Sequence, residues 1–309
     1  MAAVPSAEYG GAEYGGTEYG GTEYSLPIEQ GRTFWFSEDE TRIEFGRYLT
    51  FKSFGPGDLA HWLDMRQAQL PNAGMIERVP SANNFDPLLV GRYNQWLTWL
   101  NGLPQADALR LAGVMDARTI LSPRDLPLPV VWRGPDVTMY RNEAAQGRAW
   151  IVPEARVVTN ALAAMADPAF DPQQVVLIDA APGNGAPLQG VSPLPVSRSA
   201  RAAVPCAAAS VFLQDSPNAV TIRAGSVSGG WLVLADTFYP GWQAALDGRP
   251  VEVLRANYTF RAVLLPPGEH EIVFHYAPLS FSIGAALSLL AWIAVSGVLL
   301  ILWQRRRLS

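Results

Sequence analysis

Six residues in the last quarter of the chain have types that could bind a sugar: Asp236, Tyr239, Trp242, Asn257, Tyr258 and Arg261. Flat aromatic rings stack on pyranose faces, while a carboxylate, an amide and a guanidinium supply directed hydrogen bonds. The competing reading is structural. In it, Trp242 and Tyr258 pack inside a sheet and Arg261 pairs with a carboxylate such as Glu252. Catalytic patterns are weaker. Asp236 and Asp247 could form a carboxylate pair for acid–base work. However, Asp247 is accounted for by the turn Asp247-Gly248, and Asp236 by capping the approach to Tyr239-Pro240-Gly241-Trp242. His270 and His275 lie five apart on one predicted strand, hence on opposite faces, and cannot share a metal. His61 is remote from both. There is no His-x-x-x-His pair and no cysteine cluster. Gly183-Asn184-Gly185 lacks the Gly-Lys-Ser/Thr of a phosphate loop. Cys206 stands alone among alanines and reads as a small hydrophobe rather than a nucleophile. No catalytic residue, cofactor site or metal site is therefore predicted.

The elements that must hold the six residues are legible from turn chemistry. Tyr239-Pro240-Gly241-Trp242 has Pro and Gly where a type II turn needs them. Asp247-Gly248 predicts a two-residue I′ hairpin between strands at 242–246 and 250–254. Further strands are expected at 175–179, 210–214, 220–224, 231–236, 258–265 and 269–276. The 231–235 run is apolar throughout, as in a central strand, and Pro266-Pro267-Gly268 turns the chain. Short strands at this spacing imply an antiparallel sandwich over 156–278. It includes a short Ala-rich helix (160–166) and is interrupted by a Pro-, Gly- and Ser-rich surface loop (182–205).

Before it, 26–155 reads as mixed α/β. A helix capped by Asp58 carries Leu59, Trp62, Leu63 and Arg66. A second starts at Asp86-Pro87, presents Leu89, Tyr93, Trp96, Leu97 and Leu100, and stops at Gly102. A third covers 106–112 and ends at Gly113. Strands follow at 117–121, 137–141 and 149–152, with 126–135 as a Pro-rich loop. Residues 7–25 repeat a five-residue Ala/Thr-Glu-Tyr-Gly-Gly unit, so 1–25 is expected to be disordered.

Residues 281–303 are 23 consecutive uncharged, mostly apolar positions, followed at once by Arg305, Arg306 and Arg307. A helix of that length spans about 35 Å, enough to cross a hydrocarbon core of about 30 Å. A membrane segment is predicted at 279–304, with a tail at 305–309. The 19 residues before Phe281 contain no Lys or Arg, so the positive-inside rule puts the C-terminus in the cytoplasm and the bulk of the chain outside. Translocation needs an upstream signal, and the first residues show neither a basic region nor an apolar one. The chain is thus expected to be the tail of a longer multi-pass protein, or else a tail anchor with its soluble part in the cytoplasm.

The motifs Asp236-Thr-Phe-Tyr239-Pro240-Gly241-Trp242, Asp247-Gly248, Arg255-Ala-Asn257, Phe260-Arg261-Ala262, Pro267-Gly268-Glu-His270 and Phe274-His-Tyr276-Ala-Pro278 resemble the C-terminal end of the YfhO family. Upstream, Ser81-Ala-Asn83-Asn84-Phe85-Asp86-Pro87-Leu88, Gly91-Arg92-Tyr93 and Asp167-Pro-Ala-Phe-Asp171-Pro172 look like that family's extracytoplasmic region. The resemblance covers about 30–305. It implies a bacterial multi-pass membrane protein similar to C-type, lipid-linked-sugar glycosyltransferases. It also implies an upstream transmembrane bundle as partner, and contact with carbohydrate or lipid-linked sugar. The family's early membrane helices and catalytic loop carboxylates have no counterpart in these residues.

The expected fold is α+β: a small mixed α/β region, an antiparallel β-sandwich and one C-terminal transmembrane helix. The formal charge of −5 and the absence of a basic stripe outside the C-terminal arginines exclude a nucleic-acid partner. The lipid bilayer is the expected partner, in a bacterial cell membrane. The functional expectation is an extracytoplasmic module and anchor that supports or binds substrate without catalysing. The alternative is a stand-alone cell-surface binding or structural module. A hydrolase on an anchor is the weakest reading, because no nucleophile–base set is visible.

Overall fold

The computed structural model describes residues 28, 30–50, 59–71, 75, 78–83, 89–179 and 209–307. The repeat at 7–25, Asp58, Asp86-Pro87, Gly183-Asn184-Gly185, the 182–205 loop and Cys206 lie outside the described residues. The chain divides into two compact units: Met1–Ala149 with Leu162–Pro172, and Trp150–Ala161 with Gln173–Ser309.

In the first unit, β1 (Arg32–Trp35) leads into α1 (Ser37–Ile43), whose first turn carries Glu38, Asp39 and Glu40, the charge sign a helix N-terminus favours. A π-helical turn, Glu44–Tyr48, continues it. Then come α2 (Leu59–Gln67), α3 (Gly91–Asn101), α4 (Gln105–Ala112), β2 (Ala117–Ser122), β3 (Val130–Arg133) and β4 (Thr138–Arg141). The four strands form one sheet in the order β1-β2-β4-β3, with β1 parallel to β2 and the other pairs antiparallel. Trp35, Ile43, Tyr48, Ala68, Leu70, Leu121, Val137 and Met139 share a core on it. Helix α3 starts at Gly91, so Leu89 precedes it; Trp96 and Leu100 are its buried residues. The 126–135 stretch, expected as loop, contains β3. It is an edge strand with exposed ends and a register shift, so no period-2 apolar pattern marks it.

The second unit contains β5 (Ala149–Val152), β6 (Glu154–Val158), β7 (Val175–Asp179), β8 (Ala209–Ser216), β9 (Ala219–Ser226), β10 (Gly230–Leu234), β11 (Trp242–Leu246), β12 (Arg249–Val251), β13 (Leu254–Ala256), β14 (Phe260–Leu265) and β15 (Gly268–Tyr276). Six strands form one sheet, β5-β10-β14-β13-β7-β6, and five form another, β12-β11-β15-β9-β8. The five-stranded sheet is antiparallel throughout. The six-stranded sheet departs from the expected antiparallel sandwich at β6 and β7, which are parallel because the helix α5 (Ala161–Ala166) lies between them in sequence. All five residues of β10 are buried, as its apolar sequence requires.

The turns follow their sequence chemistry. Asp247 and Gly248 have φ of 50° and 77°, as a I′ hairpin demands. Gly241 has φ of 108°, and the Trp242 N–H donates to the Tyr239 carbonyl across the turn. The 250–254 stretch, expected as one strand, is two: β12 ends in the five-stranded sheet, and after Glu252 and Val253 the chain resumes as β13 in the six-stranded one. From β15 the chain passes Ala277 and Pro278 directly into α6 (Leu279–Arg307). Residues Leu279–Gln304 of this helix are long and apolar enough to cross a membrane, and none of its most apolar stretch is buried in the protein.

Candidate functional site

Arg261 sits on β14 opposite Leu234 of β10 and Arg255 of β13. Its side chain faces the other sheet, and it is only 3% exposed. A guanidinium so placed needs compensation. Asp236, two residues beyond β10, provides it twice: Nη2 lies 3.4 Å from its carboxylate, and Nε donates to its backbone carbonyl at 3.3 Å. The rest of the guanidinium plane is covered by aromatic rings from the other sheet. Its Cζ is 3.8 Å from the Trp242 ring centre and 5.7 Å from that of Phe274. Contacts at such distances are favourable cation–π arrangements when desolvated.

Trp242 opens β11 and pairs with Tyr276, the last residue of β15. Their ring centres are 5.4 Å apart, and the Tyr239 ring centre lies 6.4 Å from that of Tyr276. Tyr239 is 48% exposed, whereas Trp242 and Tyr276 are half-buried. Gly241 makes this row of three rings compact. A Cβ there would stand 2.9 Å from Pro278 Cα and 3.1 Å from the Tyr276 ring, and the Ala277 N–H donates to the Gly241 carbonyl.

The structure therefore joins Asp236, Arg261, Trp242 and Tyr239 into one connected group. Asn257 is fully buried and serves β7: its N–H donates to the Leu177 carbonyl, and its Oδ1 accepts from the Leu177 N–H. Tyr258 follows it in the β13–β14 turn with φ of 75°, rare for a bulky residue. Arg261 takes Asp236 as its carboxylate, and one face of Trp242 is already occupied by the guanidinium. Tyr276 and Phe274 complete the group. Their part could have been found from the pairing of the 242–246 and 269–276 strands, which puts residue 276 opposite 242.

At the far end of β11, Asp247 accepts from His270 Nδ1 at 2.6 Å and from the Glu271 N–H at 2.9 Å. The hydrogen bond to Asp247 raises the His270 pKa, and the same bond lowers that of Asp247. The first unit holds another carboxylate group. Asp39, buried, takes hydrogen bonds from Ser122 Oγ and Arg124 Nε, both at 2.7 Å. Glu40 lies beside the Asn83 amide, and burial, with the nearby Glu44 carboxylate, pushes its carboxyl up to about 7. Among the described residues no three His, Cys, Asp or Glu side chains are grouped to hold a metal ion.

These features define a β-rich module whose last strand runs into an apolar helix of membrane-spanning length. Residues 211–288 match the family described as bacterial membrane protein YfhO. That segment runs from β8 into the first residues of α6, and it is similar to the YfhO family, which its motifs resemble. No curated protein and no solved structure matches the chain.

Proposed function

We propose that this chain is the extracytoplasmic module and membrane anchor of a YfhO-like protein related to lipid-linked-sugar glycosyltransferases, and that it supports or presents substrate without transforming it. One observation carries this reading: the family match continues from the five-stranded sheet across Pro278 into α6. Sheet and anchor thus belong to one unit. The absence of Lys and Arg from 262–280, against three arginines after Gln304, supports an outside location for the sheets. The Asp236 carboxylate is tied to a guanidinium, which favours support over acid–base chemistry. Of the three aromatic candidates, Tyr239 is the exposed one, and one face of Trp242 is already occupied by the Arg261 guanidinium.

Sidedness tests the reading. Val227 is 86% exposed on the β9–β10 turn. A Val227→Cys variant in a Cys206→Ser background should react with a membrane-impermeant maleimide in intact cells. Labelling only after lysis would reverse the topology and remove the proposal. A rise in the thermal midpoint of the full chain with a polyprenyl-phosphate sugar would select presentation over bare support.

A further inference from the structure

The end of the sandwich where α6 departs differs in chemistry from the opposite end. It carries the Tyr239-Pro240-Gly241 turn, the paired ends Trp242 and Tyr276, and the Pro217-Asn218 turn, whose Asn218 carbonyl accepts from the Tyr276 N–H. Tyr276 precedes the first residue of α6 by three positions, and Gly241 is pressed against Pro278 with no room for a methyl group. The aromatic row is therefore fixed at the root of the helix. Leu279 and Phe281, the first large apolar residues of α6, are 73% and 74% exposed just beyond it.

We propose that Tyr239, Trp242 and Tyr276, with Pro240, form a collar that lies in the headgroup layer of the bilayer crossed by α6, so that the sandwich rests on the membrane in one fixed orientation. This rests on α6 being the membrane anchor. Three observations point to a lipid interface. Tyr and Trp side chains combine an apolar ring with a polar tip, the combination enriched at membrane–water boundaries. Tyr239 is 48% exposed, and the apolar helix begins next to its partner ring. Polar neighbours set the depth: Gln243, His275 and Asn218 are exposed around the rings, which suits headgroups and excludes the acyl core. Val227, next to Ser226 opposite Gly268, lies a full length of β15 away, about 27 Å for its nine residues, and the Asp247-Gly248 hairpin, opposite Glu271, about 17 Å.

The test uses the full chain, Cys206→Ser, in phosphatidylcholine vesicles, with a nitroxide placed in turn at Tyr239→Cys, Val227→Cys and Leu290→Cys. Collision with dissolved oxygen and with a water-soluble nickel chelate reports depth. The collar predicts nickel accessibility at 239 severalfold below that at 227, with 290 reading as deep lipid. Equal, fully aqueous values at 239 and 227 with 290 deep would overturn the collar and leave the anchor standing. An aqueous 290 would overturn the anchor itself and the collar with it. A second label at Pro240→Cys guards against loss of the Tyr239 ring: the same severalfold protection is expected there, and full nickel access with 290 deep would count against the collar.

Discussion

Strand β11 has a carboxylate–cation pair at each end, and the two pairs differ in everything except charge. At its start, the Arg261 and Asp236 side chains are 4% and 11% exposed, and Trp242 and Phe274 lie against the guanidinium. At its end, Asp247 is 49% exposed and meets His270 at the tip of a hairpin. Water screens the second pair and is excluded from the first. In the buried pair each charge is held because the other is there, so losing one partner strands the other in a low-dielectric site. In the exposed pair, water replaces whichever partner is lost.

Breaking the buried pair has the largest expected effect. Asp236→Asn should cost about 3–5 kcal/mol, the range for an orphaned buried charge, read as a lower denaturation midpoint. Arg261→Met added to it should recover much of the loss, because Met leaves no charge and still fills space beside Trp242. A loss for Asp236→Asn no greater than for a change at His270 would erase the contrast.

The glycines at the two ends sharpen it further. At Gly241, Ala would meet both the positive φ and the Pro278 backbone, so Gly241→Ala should cost about 1–3 kcal/mol. At Gly248 nothing lies within 4 Å of an added Cβ, so Gly248→Ala carries only the backbone cost, about 1 kcal/mol. Thermal midpoints of the two variants, measured together, give the difference.

Glu40 supplies an intermediate case in the other unit: a half-buried carboxylate next to an amide and another acid. Its folded pKa, about 7, lies above the unfolded value of 4.5. The unfolded chain thus releases this proton at lower pH than the folded one, and stability should fall as pH rises from 4.5 to 7. Glu40→Gln should flatten that slope in denaturation series across the window. A slope that survives the substitution would assign it to other groups.

The smallest effect belongs to His270. Its pKa is raised, so its contribution is fully present below its ordinary 6.5 and fades as pH rises through the folded value. Asp247 is lowered, so its contribution is present above 3.8 and fades as pH falls through its folded value. The pair should matter most between those limits. His270→Asn should differ slightly from the parent at pH 5 and match it at pH 9, in the same denaturation assay.

The sandwich was legible where local chemistry dictates the backbone. Asp247-Gly248, Pro240-Gly241 and Pro266-Pro267-Gly268 each demand one turn, and the strands between them follow. What was not legible is tertiary in origin. β1, β3 and β6 are short edge strands, and β6 alternates charges, so none carries an apolar period. The division of 250–254 between two sheets leaves no mark in its sequence. The positive φ of Tyr258 runs against its residue type. At the candidate site, residue types suggested Asp236, Trp242 and Arg261. That they meet one another depends on the facing of two sheets, which no local signal encodes. The same holds for the burial that shifts Glu40.

The helix leaves the sandwich from β15, which is the middle strand of five, flanked by β11 and β9. With only Ala277 and Pro278 between strand and helix, there is no slack to absorb a movement of the helix. A pull along the strand would load the hydrogen bonds on both sides in shear, all at once, where an edge strand would peel away one bond at a time. The arrangement is that of a mechanical joint: a load on α6 is passed to the whole five-stranded sheet before any part of it can unzip.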